Sequence, residues 1–276
     1  MSPIKNTLSQ DDAIKQTIVK PITALSKYKN CSYIGDRKKR LFMYKYMDIE
    51  TAILCIKSNS IRFVEPTEWP DQYERRFYTA DYSAVCNNKD FTPKLYACCF
   101  TFSKVSEAAW KTYSYNKSGL ASRCVQFRIN KARFRDALDN YAIDNKCKVY
   151  EGPMDYSYTD YDITNLHLPN KKIHSLLFNS DFDLKNYLSL MLIKRQAFNY
   201  ENEYRFFIIP DNGKVKKHIY PKINWVDIIS EIKIDNQCSD IELELFSDIC
   251  RKAGINVNIS KFDLYTCPDS KIKIVP

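Results

Sequence analysis

The chain has 276 residues, of which 45% are hydrophobic and 27% charged, so it can bury a sizeable core, and wholesale disorder is excluded. With only 5 glycines, a glycine-rich phosphate loop is disfavoured, and no apolar run approaches the roughly 20 residues of a membrane helix. No apolar segment with a cleavage site opens the sequence, so we predict a soluble, cytoplasmic protein with no membrane partner.

The net charge of +9 is uneven along the chain. Residues 1–40 hold nine Lys/Arg against three Asp, and the densest basic run is Arg37–Arg40. This run either contacts phosphates or an acidic partner, or is a solvated connector. Ser9 can cap an amphipathic helix that Pro21 ends. We therefore predict a basic N-terminal extension with a helix at 1–40, followed by a single α+β domain at 41–276.

Short strands and helices then follow one another in clusters. Predicted strands cover 41–46, 60–64, 95–103, 123–128, 146–150, 200–209, 215–220 and 228–234, with short strands within 255–265. Predicted helices cover 49–56, 106–115, 131–142, 182–196 and 239–252, the first capped by Asp48. Residues 65–74 are predicted to be irregular and 154–161 to be an exposed polar loop. Strands outnumber crossover helices, which predicts a mixed or antiparallel sheet with flanking helices.

The ten cysteines and three histidines show no metal-ligand spacing. No C-x-x-C pair is present, and the cysteines are scattered along the sequence. We therefore predict reduced, buried thiols and no metal cofactor.

The stretch 200–209 carries the most informative pattern. If it is extended, Glu201, Glu203 and Arg205 share one face, since side chains alternate along a strand. Two carboxylates so close repel each other unless a cation, metal or substrate uses them. Arg205 can simply neutralise Glu203 in a structural pair. Alternatively, Glu203 is a working carboxylate that binds a sugar hydroxyl and stabilises positive charge at an anomeric carbon.

Two further groups of residues are candidates for a binding site. Trp110 and Tyr113 share a helix face, either as core residues or as a platform for a flat ring such as nicotinamide or a nucleobase. Thr101 and Ser103 place two hydroxyls on one face at the end of a strand. We predict that Glu203, Ser103 and Tyr113 converge in one pocket.

Several ordered motifs resemble the bacterial domain of unknown function 2971 family. They are Tyr-Lys-Tyr at 44–46, Ile-Arg-Phe at 61–63, Trp-Pro-Asp-Gln-Tyr-Glu at 69–74, Cys-Phe-Thr-Phe-Ser at 99–103, Trp-Lys-Thr-Tyr at 110–113 with Gly119, and Tyr-Glu-Asn-Glu-Tyr-Arg at 200–205. The resemblance covers about residues 41–265. Pro70, Gln72 and Thr112 depart from it, because the family has Asn, Pro and His there.

The motif order is also similar to that of ADP-ribosyltransferases, in which a first-strand residue that contacts NAD precedes a hydroxyl-bearing strand and a Glu-x-Glu strand. The usual first-strand Arg or His of those enzymes is absent here. The resemblance implies an ADP-ribosyltransferase-like fold with NAD as substrate. Glu203 would stabilise the oxocarbenium-like transition state, and Glu201 would orient or activate the acceptor. Residues with an implied cofactor contact are Tyr44, Tyr46, Arg62, Thr101, Ser103, Trp110, Tyr113 and Arg205.

The first hypothesis is therefore an NAD-dependent transferase acting on a nucleic acid or protein acceptor, in a toxin or phage-defence role. The second is a nucleic-acid-binding or -processing protein that uses the basic N-terminal segment and aromatic faces. The third is a non-catalytic interaction module, which a closed Glu203–Arg205 pair favours.

Overall fold

The structure is a computed structural model that describes residues 22–24, 28–34, 40–86, 93–114, 123–164, 171–178, 182–211 and 217–263. The predicted N-terminal helix and Gly119 lie outside these residues. Within them, no helix is both long and apolar enough to cross a membrane. The same ranges contain no group of three or more His, Cys, Asp or Glu side chains placed to hold a metal ion.

Extended segments form most of the described core. The strands are β1 (Ile22–Ala24), β2 (Cys31–Ile34), β3 (Phe42–Asp48), β4 (Phe63–Val64), β5 (Tyr96–Thr101), β6 (Cys124–Asn130), β7 (Cys147–Pro153), β8 (Asp155–Tyr158), β9 (Ile193–Arg195), β10 (Glu203–Pro210), β11 (His218–Ile219), β12 (Ile229–Ile234) and β13 (Ile259–Lys261). Aromatic and β-branched residues are frequent in the longer ones, as the pleated surface favours.

Helices connect and cover these strands. They are α1 (Ile49–Ser58), α2 (Gln72–Thr79), α3 (Glu107–Tyr113), α4 (Lys131–Asn145), α5 (Asp160–Thr164), α6 (Lys171–Phe178), α7 (Leu184–Leu190), α8 (Trp225–Ile228) and α9 (Asp240–Lys252), with 3₁₀ turns at Pro66–Glu68 and Gln196–Glu201. Asp48 caps α1 as predicted, by accepting from the backbone N–H of Thr51.

One mixed sheet organises the chain in the order β1-β2-β7-β10-β5-β3-β6-β12-β13. The β2–β7 and β12–β13 pairs are parallel, and the other pairs along this path are antiparallel. On one edge β5 pairs with two strands: β4 through Val64 and Ala97, and β3 through Tyr44 and Thr101. The sheet is therefore split along this edge. The mixed sheet with its helices confirms the α+β class.

The two faces of the sheet carry different cores. On the first face, Phe206 and its neighbours pack with apolar residues of α1, α4 and α9. On the second face, Phe207 belongs to a cluster with residues of α2, α6 and α7, and a smaller cluster surrounds Trp110. Since Arg205 precedes Phe207 by two residues, the polar positions of β10 lie on this second face.

Strand β2 lies inside the predicted N-terminal extension. It pairs with β7, and Cys31, Tyr33 and Ile34 are buried. A boundary at residue 40 therefore cuts through the sheet. A four-residue strand is too short to give a recognisable alternation, which explains why the sequence did not reveal it. Residues 1–21 lie outside the described part of the chain.

Three local predictions of secondary structure were wrong. Residues 72–79 form a helix that Asp71 caps, although 65–74 was expected to be irregular. The expected polar loop at 154–161 contains β8, which pairs with β9, and the buried Tyr158. The helix predicted at 182–196 ends at Leu190, and β9 follows it.

Candidate functional site

Three residues from separate sequence motifs stand side by side on the second face. Thr101 of β5 is in register with Tyr44 of β3 on one side and with Glu203 of β10 on the other. Because paired residues of neighbouring strands point to the same face, these three form a row across the sheet. The row crosses the place where the sheet splits.

Two hydroxyl residues at the end of β5 hold the chain just before Glu203: Thr101 is the last residue of the strand, and Ser103 follows it. The Thr101 hydroxyl donates to the carbonyl of Glu201 at 2.5 Å and accepts from the backbone N–H of Ser103 at 2.9 Å. The Ser103 hydroxyl lies 3.5 Å from the side-chain amide of Asn202, whose backbone is left-handed with φ of 43°. This left-handed residue ends the 3₁₀ turn, so Glu201 precedes the strand instead of belonging to it.

Glu203 is closed off by two cations. Its Oε1 atom accepts from Nε of Arg205 at 2.6 Å, and its Oε2 atom lies 3.0 Å from Nζ of Lys194 and 3.2 Å from Nη2 of Arg205. The residue is only 6% exposed. The structural pair that the sequence left open is therefore present, and Lys194 adds to it.

Arg205 connects this pair to the apolar core of the second face. It donates to Glu74 of α2 and, at 3.0 Å, to the carbonyl of Met191. The guanidinium also lies 4.1 Å from the ring centre of Trp69. A buried guanidinium needs such a set of acceptors, because its charge and five donors lose their water on folding.

Lys194 of β9 contacts three carboxylates. Its Nζ atom lies 3.0 Å from Glu74, 2.5 Å from Glu201 and 3.0 Å from Glu203. We call Glu74, Lys194, Glu201, Glu203 and Arg205 the charge cluster. It contains three carboxylates and two cations, so one negative charge is in excess when all five groups are ionised.

Solvent reaches the charge cluster at Glu201. The Glu201 side chain is 32% exposed, whereas the other four members are buried. Burial raises the pKa of Glu201, although Lys194 opposes the shift. Burial also disfavours the charge of Glu203, but Arg205 and Lys194 outweigh it and hold the pKa of that carboxyl well below its usual range. Glu203 is thus a fixed anion, and Glu201 is the carboxyl that can exchange a proton or meet a ligand.

The aromatic residues of the site divide into buried and open rings. Trp110 stacks on Phe262 at 4.3 Å between ring centres and meets the edge of Tyr46 at 5.4 Å. The Tyr46 hydroxyl donates to the carbonyl of Lys104 and accepts from Gln126. Both rings are buried. Trp110 and Tyr46 therefore fit the core-packing alternative, since little of either ring can touch a ligand.

Tyr113 has an open ring. It is 42% exposed and lies 6.4 Å from Tyr46 between ring centres, at an interplanar angle of 17°. Protein atoms around its hydroxyl raise the pKa of Tyr113 by desolvation, and the charges of Glu203 and Glu201 raise it further while Lys45 lowers it. The Tyr113 hydroxyl is therefore within electrostatic range of the two carboxylates, without a described direct contact to either.

Of the residues predicted from sequence, the structure brings seven together, buries Tyr46 and Trp110 in the core and leaves Arg62 apart. Members of the assembled group are Tyr44, Thr101, Ser103, Tyr113, Glu201, Glu203 and Arg205. Arg62 is exposed just before β4 and is not among the described contacts of the charge cluster. Its charge acts on the thiols of Cys55 and Cys98, which belong to the core of the first face.

Sequence reasoning missed Glu74, Lys194, Tyr156 and Lys45. Glu74 ends the Trp-Pro-Asp-Gln-Tyr-Glu motif, which was a usable signal. The Tyr156 hydroxyl accepts from the backbone N–H of Glu203 at 2.8 Å, from a segment that was expected to be a loop. Lys45 donates to the carbonyl of Cys99 at 2.7 Å, on the β5 edge where the sheet splits. Lys45 lies within the Tyr-Lys-Tyr motif, whereas Lys194 lies outside every motif.

A surface cleft elsewhere does not contain this chemistry. It is lined by Thr67 of the preceding 3₁₀ turn and by residues of α2, namely Gln72, Tyr73, Arg75, Arg76 and Thr79. Glu74, on the inner side of the same helix, faces the charge cluster. The candidate site is therefore the face of the sheet around Glu201 and Tyr113.

Comparison with known proteins gives little further information. No protein-family model matches the chain, and no curated protein matches it. A solved structure described as Thermus sp. 2.9 DarT in complex with carba-NAD+ is similar over 82% of this chain and 97% of that chain, with 10% identity and a TM-score of 0.34. The α+β class therefore rests on the sheet itself. The resemblance to the domain of unknown function 2971 family stays a prediction.

Proposed function

We propose that the chain is an enzyme that transfers ADP-ribose from NAD to an acceptor. The supporting observation is the row of Tyr44, Thr101 and Glu203, which unites three sequence motifs at the split in the sheet. Glu201, two residues before Glu203, is the exposed member of a charge cluster with excess negative charge. The site supports this activity and the fold alone does not, since one fold can host many activities.

The site chemistry suits cleavage of a glycosidic bond to a cationic ring. The bond between C1′ of the ribose and the nicotinamide nitrogen breaks, and its electron pair leaves with nicotinamide. Positive charge then develops at C1′, where nearby fixed negative charge stabilises the transition state. The acceptor nucleophile forms the new bond to C1′, and its proton passes to Glu201 or to water.

The two glutamates have different roles in this proposal. Both oxygens of Glu203 are engaged by Arg205 and Lys194, so Glu203 supplies a fixed charge and positions its neighbours. Glu201 has the exposed carboxylate, so we assign to it the direct contact with the substrate. Sequence alone favoured Glu203 for that contact, because it does not show which carboxylate is closed off.

The other residues support these two carboxylates. Thr101 and Ser103 hold the turn that carries Glu201, through the hydrogen bonds described above. Tyr113 offers an exposed ring for a flat group such as nicotinamide. Tyr44 lies in the row beside Thr101 but is buried in the cluster around Trp110, so it supports the row and is assigned no ligand contact. The acceptor is a nucleic acid or a protein in this proposal.

The test is NAD turnover by the full chain, followed as nicotinamide release with DNA, RNA or protein supplied as acceptor. The proposal predicts release that depends on the protein, and an acceptor that gains the mass of ADP-ribose. Calorimetry with NAD provides a second readout. The proposal would be refuted if the chain showed no turnover and no NAD binding with any of these acceptors.

A toxic or phage-defence role follows if NAD is consumed inside a cell. Expression of the wild-type chain in bacteria would then arrest growth, and Glu201→Gln would relieve the arrest at equal protein level. Equal growth of both strains would contradict this part of the proposal.

One observation favours a second candidate, a non-catalytic interaction module. The Glu203–Arg205 pair is closed and buried, as a purely structural pair would be. This candidate predicts a cooperative melt with no NAD turnover, and equal partner binding by the wild type and Glu201→Gln. Binding of a nucleic acid would instead show steep dependence on salt.

A further inference from the structure

Lys194 is the member of the charge cluster that the sequence motifs did not mark. It is the cation that contacts Glu201 among the described residues, at 2.5 Å. Arg205 contacts Glu74 and Glu203 but is not among the described partners of Glu201. Arg205 therefore neutralises the buried carboxylates Glu74 and Glu203, whereas Lys194 also contacts the exposed carboxylate of Glu201.

We propose that Lys194 is a positioning residue for the transferase reaction, and that it holds the Glu201 carboxylate at the mouth of the charge cluster. This inference rests on the proposed function. Lys194 anchors itself on the buried oxygens of Glu74 and Glu203, both at 3.0 Å, and extends its third contact to Glu201. Lysine has three donors on one nitrogen, so a single ammonium can orient all three carboxylates.

The local backbone makes this contact necessary. Glu201 ends a 3₁₀ turn and is followed by the left-handed Asn202, so its side chain is not fixed by the strand register of β10. The Thr101 bond holds only its carbonyl. A glutamate side chain that rotates freely would lose rotamer entropy when it binds the substrate. An ion pair that is already formed reduces this loss.

The predicted effect on Glu201 depends on all the groups that surround it. Among the described residues these are Lys194 of β9, Glu203 of β10, Glu74 of α2, Tyr113 of α3 and Tyr156 of β8. Of the two cations, only Lys194 is in direct contact with Glu201 in the described structure. Removing it therefore leaves Glu201 facing mainly carboxylates, and its proton should bind more tightly.

The experiment titrates Glu201 by carboxyl-carbon NMR in the wild type, Lys194→Met and Lys194→Arg, and measures kcat and KM for NAD over pH. In Lys194→Met the Glu201 pKa should rise by about one pH unit or more, as expected when an opposite charge within about 4 Å is lost. The acid limb of the kcat profile should move by the same amount, with a kcat loss of about tenfold or more and a smaller change in KM. Lys194→Arg should restore most of both.

Arg135→Met is the matched control. Arg135 is buried to a similar degree, with 12% of its side chain exposed against 9% for Lys194, and it pairs with Glu151 away from the charge cluster. It should lower stability but leave the Glu201 titration and the pH profile unchanged. If Lys194→Met does not fold, the double variant Glu74→Gln with Lys194→Met keeps the net charge of the cluster and still removes the contact.

The outcomes separate the two proposals. A folded Lys194→Met protein, single or double, with an unchanged Glu201 titration and pH profile would overturn the role of Lys194. A shifted titration with a shifted profile supports it. A shifted titration in a protein whose wild type has no NAD turnover confirms that Lys194 controls Glu201 and refutes the proposed transferase.

Discussion

A buried charged group lies on each side of the sheet, one between β7 and α4 and one around β10, and the two groups differ in one respect. On the first face Glu151 is paired with Arg135 of α4, and Glu151 is 0% exposed. On the second face the charge cluster also buries Glu203 and Arg205, but it continues to Glu201 at the surface. The first group is closed, and the second is open at one residue.

The difference shows how the same ion-pair chemistry can serve structure or reaction. In the closed pair, burial raises the pKa of Glu151, while Arg135 and Lys131 oppose the rise, and solvent does not reach the carboxylate. In the charge cluster three carboxylates share two cations, and the unbalanced charge lies where a ligand can approach. Burying such a set of charged groups costs desolvation energy. A set that is open to solvent and carries excess charge is therefore a candidate functional site.

The largest effect is expected from deleting residues 1–36. This deletion removes β2, whose Tyr33 pairs with Glu151 and whose Ile34 is buried on the second face. Strand β7 would lose its hydrogen-bonded neighbour, and the buried apolar residues of β2 would be lost with it. The cooperative thermal melt should therefore disappear. A deletion of residues 1–20 keeps every described strand and is the control. A cooperative melt after the longer deletion would show that β2 is dispensable.

Arg205→Met should have the next largest effect. The substitution leaves Glu74 and Glu203 buried with Lys194 as the remaining cation of the charge cluster. Removal of one partner of a buried pair costs about 3–5 kcal/mol. Urea unfolding measures the loss, and Arg251→Met, at the exposed Arg251–Asp248 pair, should change stability by less than about 1 kcal/mol. Equal results for both variants would contradict the buried pair.

Arg135→Met tests the closed group in the same way. We expect a loss of about 3 kcal/mol, at the lower end of the range because Lys131 still acts on Glu151. NAD turnover per folded molecule should not change, since the first face contains none of the proposed site residues. A large loss of turnover in a folded Arg135→Met protein would remove the distinction between the two groups.

The sequence predicted the framework of this site better than its contacts. Alternation at 203–209 placed Glu203 and Arg205 on one face, and the Asp48 cap and α1 were found because helix signals are local. Lys194 was missed because Leu188, Met191 and Leu192 fit helical spacing, whereas the chain turns after Leu190 and extends as β9 to pair with β8. This strand pairing depends on tertiary contacts, which the periodicity of the sequence does not reveal.

A smaller effect is expected from pH. The pKa of Glu201 is raised by burial, so the ionised form is lost on acidification at a higher pH than for an ordinary glutamate, whose pKa is about 4.3. Turnover that needs ionised Glu201 should therefore fall about tenfold per pH unit below that pKa. Glu203 stays ionised there, because its pKa is lowered by Arg205 and Lys194. A flat acid profile for kcat would exclude Glu201 as the group that must be ionised.

The most direct measurement compares NAD turnover and stability in Glu201→Gln. The substitution preserves shape, removes the excess negative charge and leaves the Glu203–Arg205 pair in place. Loss of one preorganised charge lowers kcat by about a hundred- to a thousandfold, and stability should change by less than about 1 kcal/mol because Glu201 is partly exposed. Wild-type turnover that Glu201→Gln retains in full, in a stably folded protein, would contradict the assignment of Glu201 as the working carboxylate.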